Sequence, residues 1–515
     1  MLQNFDWKKL QNGSDIRGVA IVGVPNEPVN LTPEIANILG KSFASWLIHK
    51  VNKPAHQLII SVGRDSRLSG PELMQAVMDG MTSLGVSVYD FAIASTPAMF
   101  MSTVTDGFKC DGAIMLTASH LPFNRNGLKF FTAQGGLEKT DISEILAIAE
   151  MNQFAIATPE GKISQHDFIA VYADQFVTKI RESVNHPEYY EQPLKGLRII
   201  VDAGNGAGGF YAGKVLEPLG ADITGSQFLE PDGTFPNHVP NPEDKTAMAS
   251  ICEAVIENQA DFGIIFDTDV DRSAAVDSSG KELNRNRLIA LISAIVLQEH
   301  PKSTIVTDSI TSDGLTKFIE QDLQGIHHRF KRGYKNVINE SIRLNQSGQE
   351  SWLAIETSGH GAMQENYFLD DGAYLVSKLL IELAKSKLAG KSLTDLILNL
   401  QEPIESEEFR IKISADNFRQ IGDRVITDLQ AYAAEQSDWK LVPNNYEGVR
   451  VSCNQEEGWF LLRLSLHDPV IPVNIESNTQ GGVAQIAKRI YAFLQSCQAI
   501  ESLDISAIAS YSALR

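Results

Sequence analysis

Three carboxylates in this sequence alternate directly after a short apolar segment, at a spacing that suits metal chemistry. Asp267, Asp269 and Asp271 follow "GIIF", so they converge at the end of one predicted strand. Carboxylates at this density repel one another unless a cation balances them, and hard oxygen ligands suit Mg²⁺. We therefore predict a magnesium site, with a solvated acidic turn as the alternative. Arg272 follows either as a phosphate ligand or as the counter-ion of the acids.

A serine in a polar turn is the second candidate for chemistry. Ser119 lies in "IMLTASHLPFNRNGLKF", and a serine hydroxyl reacts only with a base, a metal or phosphorylation to help it. No G-x-S-x-G motif surrounds it, which disfavours acyl-transfer hydrolysis. If Ser119 carries a phosphoryl group, a metal ion on the aspartates would neutralise its charge, with Lys129 and Arg125 within a loop's reach. A plain polar turn is the alternative.

Three further polar segments could bind parts of a substrate. In "IETSGHG", a carboxylate, a hydroxyl and an imidazole suit sugar hydroxyls and proton transfer. The segments "KRGYK" and "RLSLHDP" offer cations and a hydroxyl for phosphate groups, although each could equally be a solvated surface. The residues concerned are Glu356, Ser358, His360, Lys331, Arg332, Lys335, Arg463, Ser465 and His467.

A glycine-rich segment supports a competing interpretation. "GNGAGG", from Gly204 to Gly209, fits the dinucleotide fingerprint G-x-G-x-x-G, and Asp222 lies 18 residues after Gly204. A nicotinamide-dependent enzyme is therefore an alternative. Against it, Asp222 does not end a second apolar strand, and such an enzyme would leave the three aspartates without a task.

The elements that must position these groups alternate in type along most of the chain. Short apolar runs end in polar turns and are followed by helix-length amphipathic segments, which predicts parallel sheets with crossover helices. Ligands bind at the carboxyl edge of such sheets. After about Gln401 the pattern changes to period two, which predicts a half-solvated antiparallel sheet covered by the helix "GGVAQIAKRIYAFLQSC".

Composition limits the classes of function. A chain of 515 residues exceeds the size of one domain. A net charge of −20, from 44 basic and 64 acidic residues, disfavours binding to nucleic acid or an anionic membrane. Four widely separated cysteines indicate neither a zinc site nor a disulfide framework. We find no apolar stretch of membrane-spanning length and predict a soluble cytoplasmic protein.

In order and over nearly the whole chain, these motifs resemble the α-D-phosphohexomutase family, which includes phosphoglucomutases, phosphomannomutases and phosphoglucosamine mutases. The resemblance is carried by "GSDIRG" (13–18), "GRDSRLSG" (63–70), "TASHLPFNRNGLK" (117–129), "DTDVDR" (267–272), "ETSGH" (356–360) and "DDG" (370–372).

The resemblance implies an α/β protein with four domains around one central cleft. Three would be mixed α/β domains, and a smaller α+β domain would follow at the C-terminus. We place a catalytic phosphoserine domain at 1–160, a metal-binding domain at 161–282, a sugar-binding domain at 283–400 and a phosphate-binding domain at 401–515. The implied substrates are small hexose phosphates and sugar bisphosphates, and we expect a monomer or a dimer.

The resemblance also implies roles for individual residues. Mg²⁺ would bind to the three aspartates and to the phosphate on Ser119. The catalytic residues would be Ser119, Lys129, His360 and Arg17. The candidate substrate ligands are His120, Arg272, Lys331, Arg332, Lys335, Glu356, Ser358, Arg463 and Ser465.

The chain departs from the family pattern at two loops. Leu121 replaces the usual Asn beside the serine. In "RLSLHDPVIPVNIES", Leu466, His467 and Asp468 occupy positions of small or hydroxyl residues, and Asn474 stands where the family has an Arg. An added carboxylate and a missing guanidinium should weaken the binding of a distal phosphate.

Weaker phosphate binding leads to our hypothesis for the activity. A mutase must retain its bisphosphate intermediate, so weak binding favours a glucose 1,6-bisphosphate synthase that uses a donor such as fructose 1,6-bisphosphate. Arg332 and Lys335 could then provide a replacement phosphate site. The alternatives are an ordinary phosphoglucomutase or phosphomannomutase, and a non-catalytic sugar-phosphate sensor.

Overall fold

The structure is a computed structural model that describes residues 5–415, 417–465, 468–498 and 500–513. Contacts divide the chain into two compact units. The first comprises Met1–Asn284 and Ser358–Leu396, and the second comprises Arg285–Thr357 and Ile397–Arg515. The four domain boundaries expected from the sequence stay predictions, because this division groups parts of several of them.

The N-terminal α/β layer of the first unit is built on an eight-stranded sheet. In it, β3 pairs in parallel with β4 and β5, whereas β6 runs antiparallel between β5 and β2. The hydroxyl of Thr32 caps α1, whose first residue is Pro33, a combination that favours a helix start. The strands are β1 (Gln11–Asn12), β2 (Asp15–Val19), β3 (Ile59–Arg64), β4 (Ser87–Ile93), β5 (Gly112–Leu116), β6 (Arg125–Thr132), β7 (Gly135–Gly136) and β8 (Ile163–Gln165). The helices are α1 (Pro33–Val51), α2 (Gly70–Thr82), α3 (Thr96–Val104) and α4 (Lys139–Met151).

The next layer of the first unit has a four-stranded sheet in the order β12-β11-β10-β9. Its elements are α5 (Phe168–Val184), β9 (Ile199–Asp202), α6 (Lys245–Glu257), β10 (Phe262–Phe266), β11 (Ser273–Asp277) and β12 (Glu282–Leu283). Every residue of β10 is buried. The continuous apolar run of this strand is typical of a strand covered on both faces, and the aspartate loop begins at its carboxyl end.

Residues 285–396 contribute to both units. The second unit receives α7 (Arg285–Glu299), β13 (Thr304–Thr307), α8 (Asp313–Lys317), β14 (Ile326–Arg329), α9 (Tyr334–Gln346) and β15 (Ser351–Ile355). There β13 pairs in parallel with β14 and with β15. The first unit receives the antiparallel pair β16 (Gly361–Met363) and β17 (Leu369–Asp370), followed by α10 (Gly372–Leu388).

The C-terminal part of the second unit is an antiparallel six-stranded sheet in the order β19-β20-β21-β22-β18-β23. Helix α12 packs its apolar side into the same core as the inward residues of the sheet. The predicted change of architecture after Gln401 is therefore confirmed. The elements are β18 (Glu405–Ile413), α11 (Phe418–Glu435), β19 (Trp439–Leu441), β20 (Val449–Cys453), β21 (Gly458–Leu462), β22 (Val470–Ser477), α12 (Gly482–Ser496), β23 (Leu503–Asp504) and α13 (Ser506–Ala513).

The predicted short apolar runs that end in polar turns are present as the strands β3, β5, β9, β10, β13 and β15. The α/β architecture with a smaller antiparallel domain at the C-terminus is thus confirmed. Over the described ranges, no helix combines the length and apolarity needed to cross a membrane.

Candidate active site

Ser119 lies in a tight turn just after β5, in a backbone conformation that is rare for a serine. Its φ is 49°, a left-handed value that non-glycine residues adopt seldom and often at functional sites. The side chain is buried, and its Oγ donates to Asp267 Oδ2 at 3.0 Å. The hydroxyl of Thr117 accepts a hydrogen bond from the Ser119 amide at 2.9 Å. The turn therefore presents the serine oxygen to the aspartate loop.

The three aspartates of that loop converge as predicted. One oxygen from each lies within 4.8 Å of the others, and all three side chains are buried. Asp269 Oδ1 and Asp271 Oδ1 have no hydrogen-bond partner within the described residues. Buried carboxylate oxygens without a donor are costly unless a cation satisfies them. The donor set therefore fits Mg²⁺, which the three aspartates and an oxygen on Ser119 would hold.

Lys129 provides the nearest positive charge. Its Nζ lies 2.9 Å from Asp269 Oδ2 and 2.5 Å from Asp271 Oδ2. Burial alone would lower the pKa of Lys129, but these two carboxylates raise it well above its usual value. The amine is therefore charged at neutral pH. Conversely, burial and the charges of the other two aspartates raise the pKa of Asp267 well above the usual range.

Arg272 contacts both an aspartate and the serine oxygen, so its position is compatible with either of the two roles that the sequence left open. Its Nη2 donates to Asp267 Oδ2 at 3.1 Å and to Ser119 Oγ at 3.1 Å. The same nitrogen lies 2.8 Å from His120 Nδ1. Burial, followed by the charges of Arg272 and Arg17, lowers the pKa of His120 to about 3. His120 is therefore neutral, and its Nδ1 acts as an acceptor for the guanidinium.

Arg17 approaches the serine turn from the neighbouring strand. Its guanidinium donates to the carbonyl of Thr117 at 3.0 Å and forms an ion pair with Asp15 at 3.0 Å. The pairing of β2 with β6, in which Arg17 faces Gly127, fixes this position. Arg125, which was expected within reach of the serine phosphate, forms an ion pair with Glu27 at 2.7 Å, and its expected role stays a prediction.

His360 and Ser358 belong to the first unit and lie in the segment before β16. His360 Nδ1 contacts Asp370 Oδ2 at 2.5 Å. Burial alone would lower the pKa of His360, but the Asp370 carboxylate raises it to about 9. The imidazole also forms a possible metal-ligand group with Asp271 and Asp370. The Oγ of Ser358 is buried without a hydrogen-bond partner among the described residues, and its predicted contact with a sugar stays a prediction.

Two residues that support the serine loop were missed by the sequence reasoning. Arg67 is fully buried and donates to the backbone carbonyls of four residues of the serine loop. It also lies 3.3 Å from Asp65, which accepts hydrogen bonds from the hydroxyl of Thr117 at 2.7 Å and from the Arg67 amide at 3.0 Å. Both residues occur in "GRDSRLSG", but backbone carbonyls carry no sequence signature that would reveal the contact. The four carbonyls belong to Ser119, Leu121, Pro122 and Arg125.

The sequence also gave no indication of two contacts to the aspartate loop. Thr96, at the start of α3, donates its hydroxyl to Asp269 Oδ2 at 2.5 Å, and its amide donates to the Asp269 carbonyl. Asn241 Oδ1 accepts a hydrogen bond from Arg272 at 3.0 Å. Both side chains lie far from the loop in sequence, so their spacing gave no signal.

The glycine-rich segment has a packing role that the nucleotide interpretation did not foresee. A Cβ on Gly206 would lie 2.7 Å from the carbonyl oxygen of Thr268, and the Ala207 amide donates to that carbonyl at 2.8 Å. Because these glycines have no side chain, the aspartate loop can pack closely against the glycine-rich segment. This removes the need for a dinucleotide to explain them.

The second unit holds the remaining predicted ligands. Glu356 Oε1 accepts a hydrogen bond from the Gly333 amide at 2.6 Å, which ties Glu356 to the start of α9. Arg332 lies 3.9 Å from Asp308 through its Nε. Lys331 is exposed beside Phe330, and Lys335 is half-buried in the first turn of α9.

The loop with the altered phosphate motif lies in the same unit. Arg463 is buried and lies 3.5 Å from Glu447, while Ser465 Oγ accepts from the Asp468 amide at 3.3 Å. Asn474, at the position of the missing arginine, donates to Glu408 at 3.0 Å. The predicted changes at Leu466 and His467 lie outside the described residues. The roles of all these site residues stay predictions.

Comparisons with known proteins agree with the resemblance. Family profiles for the first, second and third alpha/beta/alpha domains of phosphoglucomutase/phosphomannomutase match residues 8–155, 174–280 and 284–403. A phosphoglucomutase of Neisseria gonorrhoeae is 30% identical over 486 residues, which cover 94% of this chain and 96% of that protein. A phosphomannomutase/phosphoglucomutase of Pseudomonas putida is 30% identical over 83% of this chain and 85% of its own length.

A solved structure shares the fold over nearly its entire length. It is a phosphoglucomutase/phosphomannomutase family protein from Burkholderia thailandensis, with a TM-score of 0.76, 25% sequence identity and coverage of 96% of this chain and 98% of its own. From the profile matches, the identity to full-length relatives and this likeness, it follows that the chain belongs to the phosphoglucomutase/phosphomannomutase family of phosphohexomutase enzymes.

Proposed function

We propose that this enzyme interconverts the 1-phosphate and 6-phosphate of a hexose, with glucose and mannose as the candidate sugars, by phosphoryl transfer through Ser119. The observation that carries the proposal is the position of the serine oxygen. Ser119 Oγ lies 3.0 Å from Asp267 Oδ2 and 3.1 Å from Arg272 Nη2. A phosphoryl group on that oxygen would lie beside both the predicted metal ligands and a guanidinium.

Different residues of the site would serve the bond changes, the proton transfer and the charge stabilisation of the reaction. As a substrate hydroxyl bonds to phosphorus, its O–H bond breaks, and the bond from phosphorus to Ser119 Oγ breaks as the serine oxygen takes up a proton. His360 is oriented through Nδ1 by Asp370 and carries a proton at neutral pH because its pKa is about 9, so it is the candidate donor of the proton that the serine oxygen takes up, while the proton of the substrate hydroxyl passes to solvent. Lys129 and Arg272 stabilise the negative charge on the transferred oxygens.

A bound Mg²⁺ would add positive charge next to the phosphoryl oxygens. Without Mg²⁺, the carboxylates of the site outnumber the cations that contact them. Lys129 and Arg272 balance two of the three aspartates, which leaves a formal charge of −1. A phosphoryl group on Ser119 would add further negative charge, so a divalent ion would offset more of the total than one additional amine.

The synthase hypothesis remains the second candidate. The relatives above carry mutase names, which favours mutase activity. The altered fourth-domain loop supports the synthase, since Asn474 pairs with Glu408 at the position where the family has an arginine. Fructose 1,6-bisphosphate would then rephosphorylate the serine.

Assays of purified protein distinguish these activities. Glucose 1-phosphate or mannose 1-phosphate is supplied with Mg²⁺ and a trace of the corresponding 1,6-bisphosphate, and the 6-phosphate is measured. The proposal expects turnover and phosphate on Ser119 by mass spectrometry, with both lost in Ser119→Ala. Accumulation of free bisphosphate from glucose 6-phosphate and fructose 1,6-bisphosphate would support the synthase. Neither turnover nor phosphoserine would contradict both and would favour a sensor.

A further inference from the structure

Glu447 lies in a set of donors that would suit a phosphate group. Its Oε2 accepts a hydrogen bond from the Ser309 hydroxyl at 2.6 Å and from the Arg332 amide at 3.0 Å. Its Oε1 lies 3.5 Å from Arg463 Nη1. A hydroxyl, a backbone N–H and a guanidinium are donors that proteins use for phosphate oxygens. The anion that these donors contact in this chain is a carboxylate of the chain itself.

Arg463 is the predicted phosphate ligand of this group, and it is incompletely satisfied. The residue is 7% exposed. Its Nε is buried and has no hydrogen-bond partner among the described residues. Burial lowers the pKa of Arg463, and the nearby charge of Arg332 lowers it further. A desolvated guanidinium with an unsatisfied donor favours an anion that can approach it more closely than Glu447 does.

The neighbouring charges oppose such an anion. The charges that act on Arg463 are the guanidinium of Arg332 and three carboxylates, on Asp308, Glu408 and Glu447, of which Glu408 is also paired with Arg410 at 3.1 Å. Asp308 lies 3.9 Å from Arg332, and Glu408 is occupied by Asn474. Of the three carboxylates, Glu447 is the one in contact with both the predicted ligand and the backbone of "KRGYK".

We propose that Glu447 is a built-in competitor for the phosphate group of the substrate at Arg463. Its carboxylate occupies donors that the phosphate needs, so it weakens the binding of hexose bisphosphate and sets how readily that intermediate leaves the enzyme. Because Arg463 is a predicted phosphate ligand, this role of Glu447 rests on the proposed phosphohexomutase function.

Binding measurements on the full chain test the role. Ser119→Ala prevents phosphoryl transfer, so the Kd of glucose 1,6-bisphosphate can be measured by calorimetry in this background, with and without Glu447→Gln. The glutamine keeps an oxygen that can accept the Ser309 and Arg332 hydrogen bonds but removes the charge. A regained charge-assisted contact of Arg463 with phosphate predicts binding that is about tenfold to a hundredfold tighter.

A matched control exists in the same unit. Glu456 is buried and, like Glu447, lies near a guanidinium, that of Arg489 at 3.4 Å. Glu456→Gln therefore removes a similar carboxylate–arginine pair away from the predicted phosphate ligands, and the Kd should stay unchanged. Glu447→Ala serves as a second variant if the glutamine disturbs folding, as monitored by thermal unfolding.

The possible results separate this role from the proposed function. Tighter binding in Glu447→Gln, together with less free bisphosphate released per turnover in the Ser119 enzyme, supports the competitor role. Binding that is unchanged or weaker overturns it and leaves the proposed function intact. Absence of bisphosphate binding in both backgrounds, with no turnover by the unmodified enzyme, overturns both.

Discussion

Replacing Arg67 tests how the serine turn is held in its unusual conformation. The guanidinium donates to the carbonyls of Pro122 at 2.8 Å, Arg125 at 2.9 Å and Leu121 at 2.6 Å, and to that of Ser119. It also balances the charge of Asp65, which is fully buried. One planar side chain thus links the serine to the rest of its loop.

Two substitutions separate the charge of Arg67 from its geometry. Arg67→Met leaves Asp65 buried without a counter-ion, which we expect to cost about 3–5 kcal/mol of stability. Arg67→Lys keeps the charge, but an ammonium has three donors and no planar fork. The lysine should lose at least one charge-assisted hydrogen bond to a carbonyl, at about 1.5–3 kcal/mol.

The larger effect of Arg67→Lys should be on the reaction. A shift of the serine oxygen by about 1 Å is enough to lower the rate of phosphoryl transfer by about 10²-fold. Because Arg67 contacts backbone and not substrate, we expect kcat to fall and KM to change little. The assays are turnover of the hexose phosphate, the phosphorylated fraction of Ser119 by mass spectrometry, and urea unfolding.

Arg198→Lys is the matched control for that substitution. Arg198 lies in the same unit and pairs with Asp222 at 2.8 Å, outside the serine loop, so its kcat should match the unmodified enzyme. If Arg67→Lys retains normal kcat and normal phosphorylation of Ser119, the loop is held by other contacts and the argument from the four carbonyls is refuted.

Three further predictions follow from the charges of the two units. Removal of Mg²⁺ with EDTA should abolish turnover, and Asp269→Asn should raise the Mg²⁺ concentration needed for half-maximal turnover. Asp370→Asn should lower the pKa of His360 from about 9. The part of the pH–rate profile that reports the ionisation of His360 should therefore move to lower pH. Burial raises the pKa of Glu476 from 4.5 to about 7, so the stability linked to its protonation is present below pH 4.5 and is lost as the pH rises through 7. Glu476→Gln should therefore be more stable than the unmodified enzyme at pH 8, by about 3 kcal/mol in urea unfolding.

The sequence was sufficient for features that depend on local spacing. The apolar run of β10 and the alternate aspartates after it predicted a carboxylate cluster, because the three acids follow one another within a single short turn at the end of the strand. The period-two pattern after Gln401 predicted the antiparallel sheet, because residues two apart in a strand share a face. In each case a short window of sequence contains all the information that the geometry needs.

Features that join distant segments could not be predicted in this way. Arg67 contacts carbonyls that lie 52–58 residues away, and any residue type can supply a carbonyl. Ser309 and Glu447 are separated by 138 residues, so nothing in "RLSLHDP" indicated that a carboxylate would contact Arg463. The ion pair of Arg125 with Glu27 was not foreseen for the same reason, since the two residues lie far apart in sequence.

These distant carboxylates show that the number of Arg and Lys residues in a site is a poor guide to its affinity for phosphate. In the first unit, Lys129 and Arg272 are held among three aspartates, and in the second unit Arg332 and Arg463 are held among three other acids. A phosphate group must therefore exchange with carboxylates that are already in contact with these cations. Its affinity depends on the difference between two sets of charge-assisted contacts, and the number of Arg and Lys residues in a motif does not give that difference. An enzyme that must hold an intermediate and still release its product can set that balance with acidic residues as well as with basic ones.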